Sequence, residues 1–180
     1  MNKILLLSSV LIFTLGEFQP LWSMNDDVKE YAPSVKRKIA KGCVQTKGGE
    51  LFYRDSGGTG PVVLCIHGNS TDNWLFKRLM SENTEMRFIS FSSPGHGKSF
   101  KASDQLAEGI YSFLGNAKIF LEALDQDELR IKEFSILGVS KGGHEAINLY
   151  ALAPERVKSM ILSGTPPFRI FLKMDLREKS

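Results

Sequence analysis

Runs of apolar residues set off by glycine, proline and small polar residues divide this chain into short elements. Residues 62–66 form a continuous apolar run, Val62-Val63-Leu64-Cys65-Ile66, between Pro61 and His67-Gly68-Asn69. A run of that length, bounded by turn residues, suits a strand buried on both faces. Residues 87–91, 134–137 and 160–162 repeat the pattern and end at Ser93-Pro94-Gly95, Gly138 and Gly164. Upstream, 43–46 and 51–54 flank Lys47-Gly48-Gly49-Glu50, which predicts a hairpin because glycine enters turn conformations without a steric penalty. Helical periodicity appears over 109–124, where Ile110, Phe113, Leu114, Ala117, Leu121 and Leu124 share one stripe. Asp72 is placed to cap a helix reaching about residue 80. Ala146, Ile147, Tyr150 and Ala151 mark the inner face of another helix, which Pro154 helps to end. Strand alternating with helix from residue 62 onward predicts crossover units and a mostly parallel sheet, with the hairpin adding antiparallel strands at one edge.

The first 23 residues have a different pattern. Lys3 is followed by an uncharged, mostly apolar stretch over 4–16 and a more polar exit ending at Ser23. This predicts a signal peptide, cleaved near Ser23, outside the fold. The alternative is an uncleaved membrane anchor, although the stretch is short for a span of about 20 residues. Export is therefore expected. Residues 24–41 read as an exposed lead-in and 168–180 as an irregular tail or the start of a lid.

Composition narrows the chemistry. Of 180 residues, 42% are hydrophobic and 24% charged, with a formal net charge of +3, which is ordinary for a globular domain. The only basic cluster is Lys36-Arg37-Lys38, read as a solvated surface. Without interleaved aromatic and basic residues, nucleic-acid binding is not expected. Cys43, Cys65 and three dispersed histidines form no metal-ligand spacing, and nothing implies a cofactor. The cysteines are read as small buried hydrophobes.

Three motifs carry the chemistry, each at the carboxyl end of a predicted strand: His67-Gly68-Asn69, Pro94-Gly95-His96-Gly97-Lys98-Ser99 and Gly138-Val139-Ser140-Lys141-Gly142-Gly143. In this order they resemble the α/β-hydrolase family, over residues 42–167. The resemblance implies an α/β fold with a mostly parallel sheet of the α/β-hydrolase type, an antiparallel N-terminal hairpin, and truncation after about the sixth strand. It implies a serine nucleophile, Ser140, held on a sharp strand-to-helix turn, with Gly138 and Gly142 allowing close packing. The backbone N–H groups of Lys141 and Asn69 are the implied oxyanion donors, the latter on a loop shaped by His67 and Gly68. A serine–lysine dyad is disfavoured, because neighbours on such a turn point in different directions. The acid usual before the second motif is replaced by Ser92-Ser93. The family sheet order also separates Cys43 and Cys65 by two strands, roughly 14 Å at about 4.8 Å per strand, too far for a disulfide.

The resemblance further implies a triad of serine, acid and histidine, in that order. Only His144 follows Ser140, one turn along the same helix, and Asp175 lies in the tail. The acid and histidine are therefore expected beyond Ser180, leaving the sixth strand as a raw edge that invites a second chain to complete the sheet. The expected activity is hydrolysis of a small acyl substrate through an acyl-enzyme, weak or absent in this chain alone. The alternatives are a non-catalytic binding module or a decayed gene product.

Overall fold

The computed structural model describes residues 36–103 and 109–166 in full, together with the backbone of 5–7 and 10–14. Eight strands form one sheet: β1 (Leu5–Leu7), β2 (Val10–Thr14), β3 (Ala40–Thr46), β4 (Gly49–Asp55), β5 (Val62–Ile66), β6 (Arg87–Phe91), β7 (Phe134–Val139) and β8 (Val157–Ser163). Their spatial order is β1-β2-β8-β7-β5-β6-β4-β3. The centre, β6-β5-β7-β8, is parallel. The β3–β4 hairpin joins it antiparallel through β4 and β6. This is the α/β architecture expected from the alternating pattern.

Among the described residues, the fully described helices are α1 (Lys77–Glu82), α2 (Phe113–Asp125) and α3 (Lys141–Leu152). Asp72 does cap an N-terminus, accepting from the Trp74 N–H. The element it caps is a 3-10 turn over Asn73–Phe76 that leads into α1. Helix α2 starts after Ser112, whose hydroxyl accepts from the Gly115 N–H. A large core lies where α2 and α3 meet the sheet, with Phe91 stacked on Phe120 at 5.4 Å between ring centres. A smaller cluster on Cys65, Phe76, Met80 and Phe88 gathers the other packed residues, including Leu79 of α1.

Several expectations are corrected by packing. Leu114 is 43% exposed, while Asn116, Ala117, Phe120 and Ala123 point inward. The buried stripe of α2 is thus rotated from the one periodicity marked, because an asparagine faces the interior. On α3, Leu149 is buried and Ala151 exposed. Cys43 is exposed, since strand alternation turns Val44 and Thr46 inward on β3; Cys65 is buried. Both cysteines are free, on strands separated by β6 and β4.

The lead-in and the N-terminal segment also differ from expectation. Arg37, read as a solvated surface residue, donates to the carbonyls of Gly57 at 3.1 Å, Met86 at 3.0 Å, and Thr84. The raw sixth-strand edge, β8, is paired: β2 lies antiparallel along it from Val10 opposite Ser163 to Thr14 opposite Ser159. An unpaired edge presents a row of N–H and C=O groups that any extended segment can satisfy. The tail over 168–180 lies outside the described residues.

Candidate active site

The site lies at the carboxyl ends of the parallel strands. Ser140 forms the turn between β7 and α3, with φ 52° and ψ −116°. A non-glycine residue in that region is strained by about 1–3 kcal/mol and persists only where its surroundings enforce it. Here they do. The Ser140 N–H donates to Ser163 O at 2.8 Å, and its carbonyl accepts from Gly143 N–H at 3.0 Å and Thr165 Oγ1 at 3.3 Å. The flanking glycines leave no room for side chains. A Cβ on Gly138 would lie 2.7 Å from Gly142 O, one on Gly142 would strike Ile66 O, and one on Gly143 would strike Thr165 Oγ1. Ser140 itself is exposed.

The His67-Gly68-Asn69 loop faces this turn, because β5 and β7 are neighbours with Ile66 opposite Gly138. A Cβ on Gly68 would lie 3.3 Å from Ser140 Cβ, so the glycine permits the close approach. His67 is fully buried. Its Nε2 accepts the Ser93 N–H at 2.9 Å, which leaves the proton on Nδ1 to bond Gly68 O at 2.7 Å. Burial, the largest cause, pulls its pKa down to about 4. His67 is thus a neutral brace with both ring nitrogens engaged.

His96 bridges the two loops, with Nε2 2.8 Å from Asn69 O and Nδ1 3.1 Å from Pro94 O. His144 is buried and stacks on Phe113 at 4.9 Å, with its pKa lowered by burial. His67 and His96 lie 5.0 Å apart between ring centres, His144 packs elsewhere on Phe113, and each is occupied structurally. At the end of β6, Ser92 occupies the usual acid position. A Cβ on Gly97 would lie 2.7 Å from Ser92 Oγ and 3.1 Å from Asp72 Oδ2. The carboxylate near the 94–99 loop thus comes from Asp72, on the neighbouring loop. Ser99 Oγ donates to Ser92 O at 2.6 Å and accepts from Phe52 N–H, tying this loop to the hairpin.

Lys141, the residue after Ser140, lines a cavity of about 310 Å³ together with Asn69, His96, Lys101, Tyr111 and Asn116. Asn69 and Lys141, the expected oxyanion donors, thus share one cavity wall. Sequence reasoning missed its floor. Lys141 Nζ lies 3.0 Å from Oε1 of fully buried Glu145, which also accepts from Asn116 Nδ2 at 2.5 Å. The Lys–Glu spacing of four along α3 was the available signal. Asn116 gave none, since it comes from α2. Among the described residues no cluster of three or more His, Cys, Asp or Glu is placed to hold a metal. Among them, no helix is long and apolar enough to cross a membrane.

A mostly parallel sheet with an antiparallel hairpin, and these loops at its carboxyl end, define an α/β-hydrolase fold. Residues 61–179 match that family, and the chain belongs to it. It is 34% identical over 110 residues to a serine hydrolase-like protein of Danio rerio, a match covering 61% of this chain and 32% of that protein. It is 32% identical over 119 residues to the 2-hydroxy-6-oxononadienedioate/2-hydroxy-6-oxononatrienedioate hydrolase of Escherichia coli K12, covering 63% of this chain and 39% of that one. Among solved structures it resembles an N-acyl homoserine lactonase complexed with N-hexanoyl homoserine, at TM-score 0.63 and 34% identity. That match covers 72% of this chain and 46% of the lactonase. The chain thus spans less than half the length of each of these relatives.

Proposed function

We propose that this chain carries the nucleophile and oxyanion donors of a serine hydrolase acting on small acyl substrates, esters or lactones, through an acyl-enzyme. The observation that carries the reading is the strained backbone of Ser140, held by three hydrogen bonds and three crowded glycines directly opposite Gly68. Such a turn exposes a serine hydroxyl above the sheet at a helix N-terminus, which is the nucleophile-elbow arrangement. Ser140 Oγ attacks the carbonyl carbon, and the charge developing on the carbonyl oxygen is held by the N–H groups of Lys141 and Asn69. The carbonyl re-forms as the bond to the leaving group breaks. The serine proton passes through a general base to the leaving oxygen, and water then releases the acyl group. The likeness to the lactonase and to the serine hydrolase-like protein supports this bond class.

Among the described residues the base is the unfilled role. His67 and His96 hold loop carbonyls and His144 packs on Phe113. In this proposal the base belongs to a second chain that completes the sheet, and turnover by this chain alone is negligible. Export with cleavage near Ser23 belongs to the same proposal, since removing β2 frees the β8 edge for that chain. The reading of a non-catalytic module draws on the same engaged histidines.

Prolonged exposure of the full chain to a fluorophosphonate, followed by peptide mass mapping, separates the two. The nucleophile reading expects slow labelling confined to Ser140, about 10⁴-fold below that of a complete triad, and abolished by Ser140→Ala. Folded protein that acquires no label on Ser140 sinks it.

A further inference from the structure

Arg54 is a buried cation without an anion. It stands on β4, is 9% exposed, and takes part in no ion pair among the described residues. Its Nε donates to Asn73 Oδ1 at 3.0 Å, and Asn73 Nδ2 donates in turn to Ser90 O at 3.2 Å. The two Nη groups donate to no described residue, and neither is sealed from solvent. The guanidinium is thus fixed at one end and open at the other. Burying a cation without a partner is costly, and the Nη groups are the part of it that an outside group can satisfy.

The rings beside Arg54 gather further charge. Arg54 Cζ lies 4.4 Å from the centre of the Trp74 ring, which Lys77 Nζ also approaches, at 4.3 Å. Arg54 Cζ and Lys98 Nζ both lie 5.6 Å from the centre of the Phe52 ring. Neither lysine has an ion pair among the described residues. The acids on these elements do not cancel the cluster. Asp55 pairs with Arg87 and Glu82 with Arg78. Asp72 acts on Arg54 without forming an ion pair, and Glu50 is exposed. Lys41 stands opposite Arg54 across the hairpin, so four cations face two acids. Beside them, Trp74 and Leu75 are 49% and 46% exposed.

We infer that this face, made by β4 and the turn over 73–76, docks on a membrane surface of anionic phospholipid. Arg54, Lys77 and Lys98 meet headgroup phosphates, and Trp74 and Leu75 rest at headgroup level. A guanidinium fork matches phosphate oxygens through paired bonds. An indole is stable where one side is wet and the other apolar. A free phosphate would engage the cations and leave Trp74 and Leu75 in water. A single-stranded nucleic acid needs an open ring face on which bases stack, whereas Phe52 is 7% exposed and both rings carry cations. The inference uses none of the groups assigned to acyl transfer and stands apart from that reading.

The fluorescence of Trp74 tests this in the full chain. Trp22→Phe leaves Trp74 as its one tryptophan. Vesicles of equal parts phosphatidylglycerol and phosphatidylcholine are expected to shift its emission to the blue, and brominated lipid in them to quench it. Vesicles of phosphatidylcholine alone are expected to do neither. Attachment through the apolar stretch over 4–16 needs no anionic lipid, so it affects both vesicles alike. Lys77→Gln and Lys98→Gln, both exposed changes, are each expected to weaken binding about fivefold, and Arg54→Gln at least as much. Lys118→Gln, an exposed change on α2, is expected to leave it unaltered. Should Arg54→Gln fail to fold, the lysine variants decide. No shift, an equal shift with both vesicles, or an equal loss from Lys118→Gln and Lys77→Gln overturns the inference. So does the same shift with inorganic phosphate or oligothymidylate in place of vesicles.

Discussion

The Ser140 turn and the cavity floor are separated by one turn of α3, yet they are built on opposite plans. At the turn, the Ser140 N–H and carbonyl both find partners and the surrounding glycines sit against backbone and side-chain atoms with no space to spare. At the floor, a fully buried carboxylate and a buried amide each keep one oxygen without a donor. The turn is specified by sterics, which fix one backbone geometry. The floor is specified by polar groups with capacity left over, so its charge state is adjustable. The two kinds of construction meet within one stretch of α3.

The steric half is the more brittle, and Gly142→Ala is the sharpest way to break it. The new methyl would meet Ile66 O, a backbone atom in the sheet centre that has no rotamer to yield. A loss of about 4–5 kcal/mol, or a chain that does not fold, is expected in urea denaturation. Gly57→Ala is the control: it also has positive φ, but its Cβ meets nothing within 4 Å, and it should cost only about 1–2 kcal/mol.

The polar half should answer to chemistry more than to size. Glu145→Ala leaves the Lys141 ammonium and the Asn116 amide without their buried partner, at an expected cost of about 3–4 kcal/mol. Glu145→Gln keeps the shape and, like the protonated acid, brings both a donor and an acceptor to Asn116; about 1 kcal/mol or less is expected. Equal losses in the two variants would remove the distinction drawn between the halves.

Acid should separate them by sign. His67 titrates at about 4 in the folded chain against an ordinary 6.5. The unfolded state therefore binds the extra proton first, and stability present above pH 6.5 is lost progressively as pH falls toward 4. The full effect is about 3 kcal/mol. Glu145, with its pKa raised by burial, works the other way: its folded form is favoured in acid and loses ground as pH rises through its folded pKa. Denaturation midpoints across pH 4–8 for wild type and Glu145→Gln should therefore differ, the variant showing the steeper acid loss. Parallel curves would show that Glu145 does not titrate in this range.

Much of the fold was legible because burial on both faces writes itself into local sequence. The run 62–66 became β5 with the bounds its composition marks, and Gly138 and Gly142 sat where a strand must pass close under a helix. Features that depend on a neighbour were not legible. Leu114 matches the helical period yet faces solvent, since α2 turns Asn116 inward to meet Glu145. Cys43 reads as a buried hydrophobe, but β3 is an edge strand and pairing sets which of its faces is inner. Asp72 stands in space beside Ser92, one of the two serines that replace the family's usual acid, and nothing along the chain links the two.

The sequence by itself determined the order of strands and helices from the β3–β4 hairpin onward, the family, and the turn residues around Ser140, because each follows from local periodicity or from glycines that only close packing requires. Tertiary structure decided what the polar side chains do. It turned His67 and His96 into braces, gave the β8 edge to Val10–Thr14, and set Asn116 and Glu145 together under Lys141. Hydrogen bonds and charge pairs join residues 29 and 26 positions apart as readily as adjacent ones, and no window along the chain contains that information.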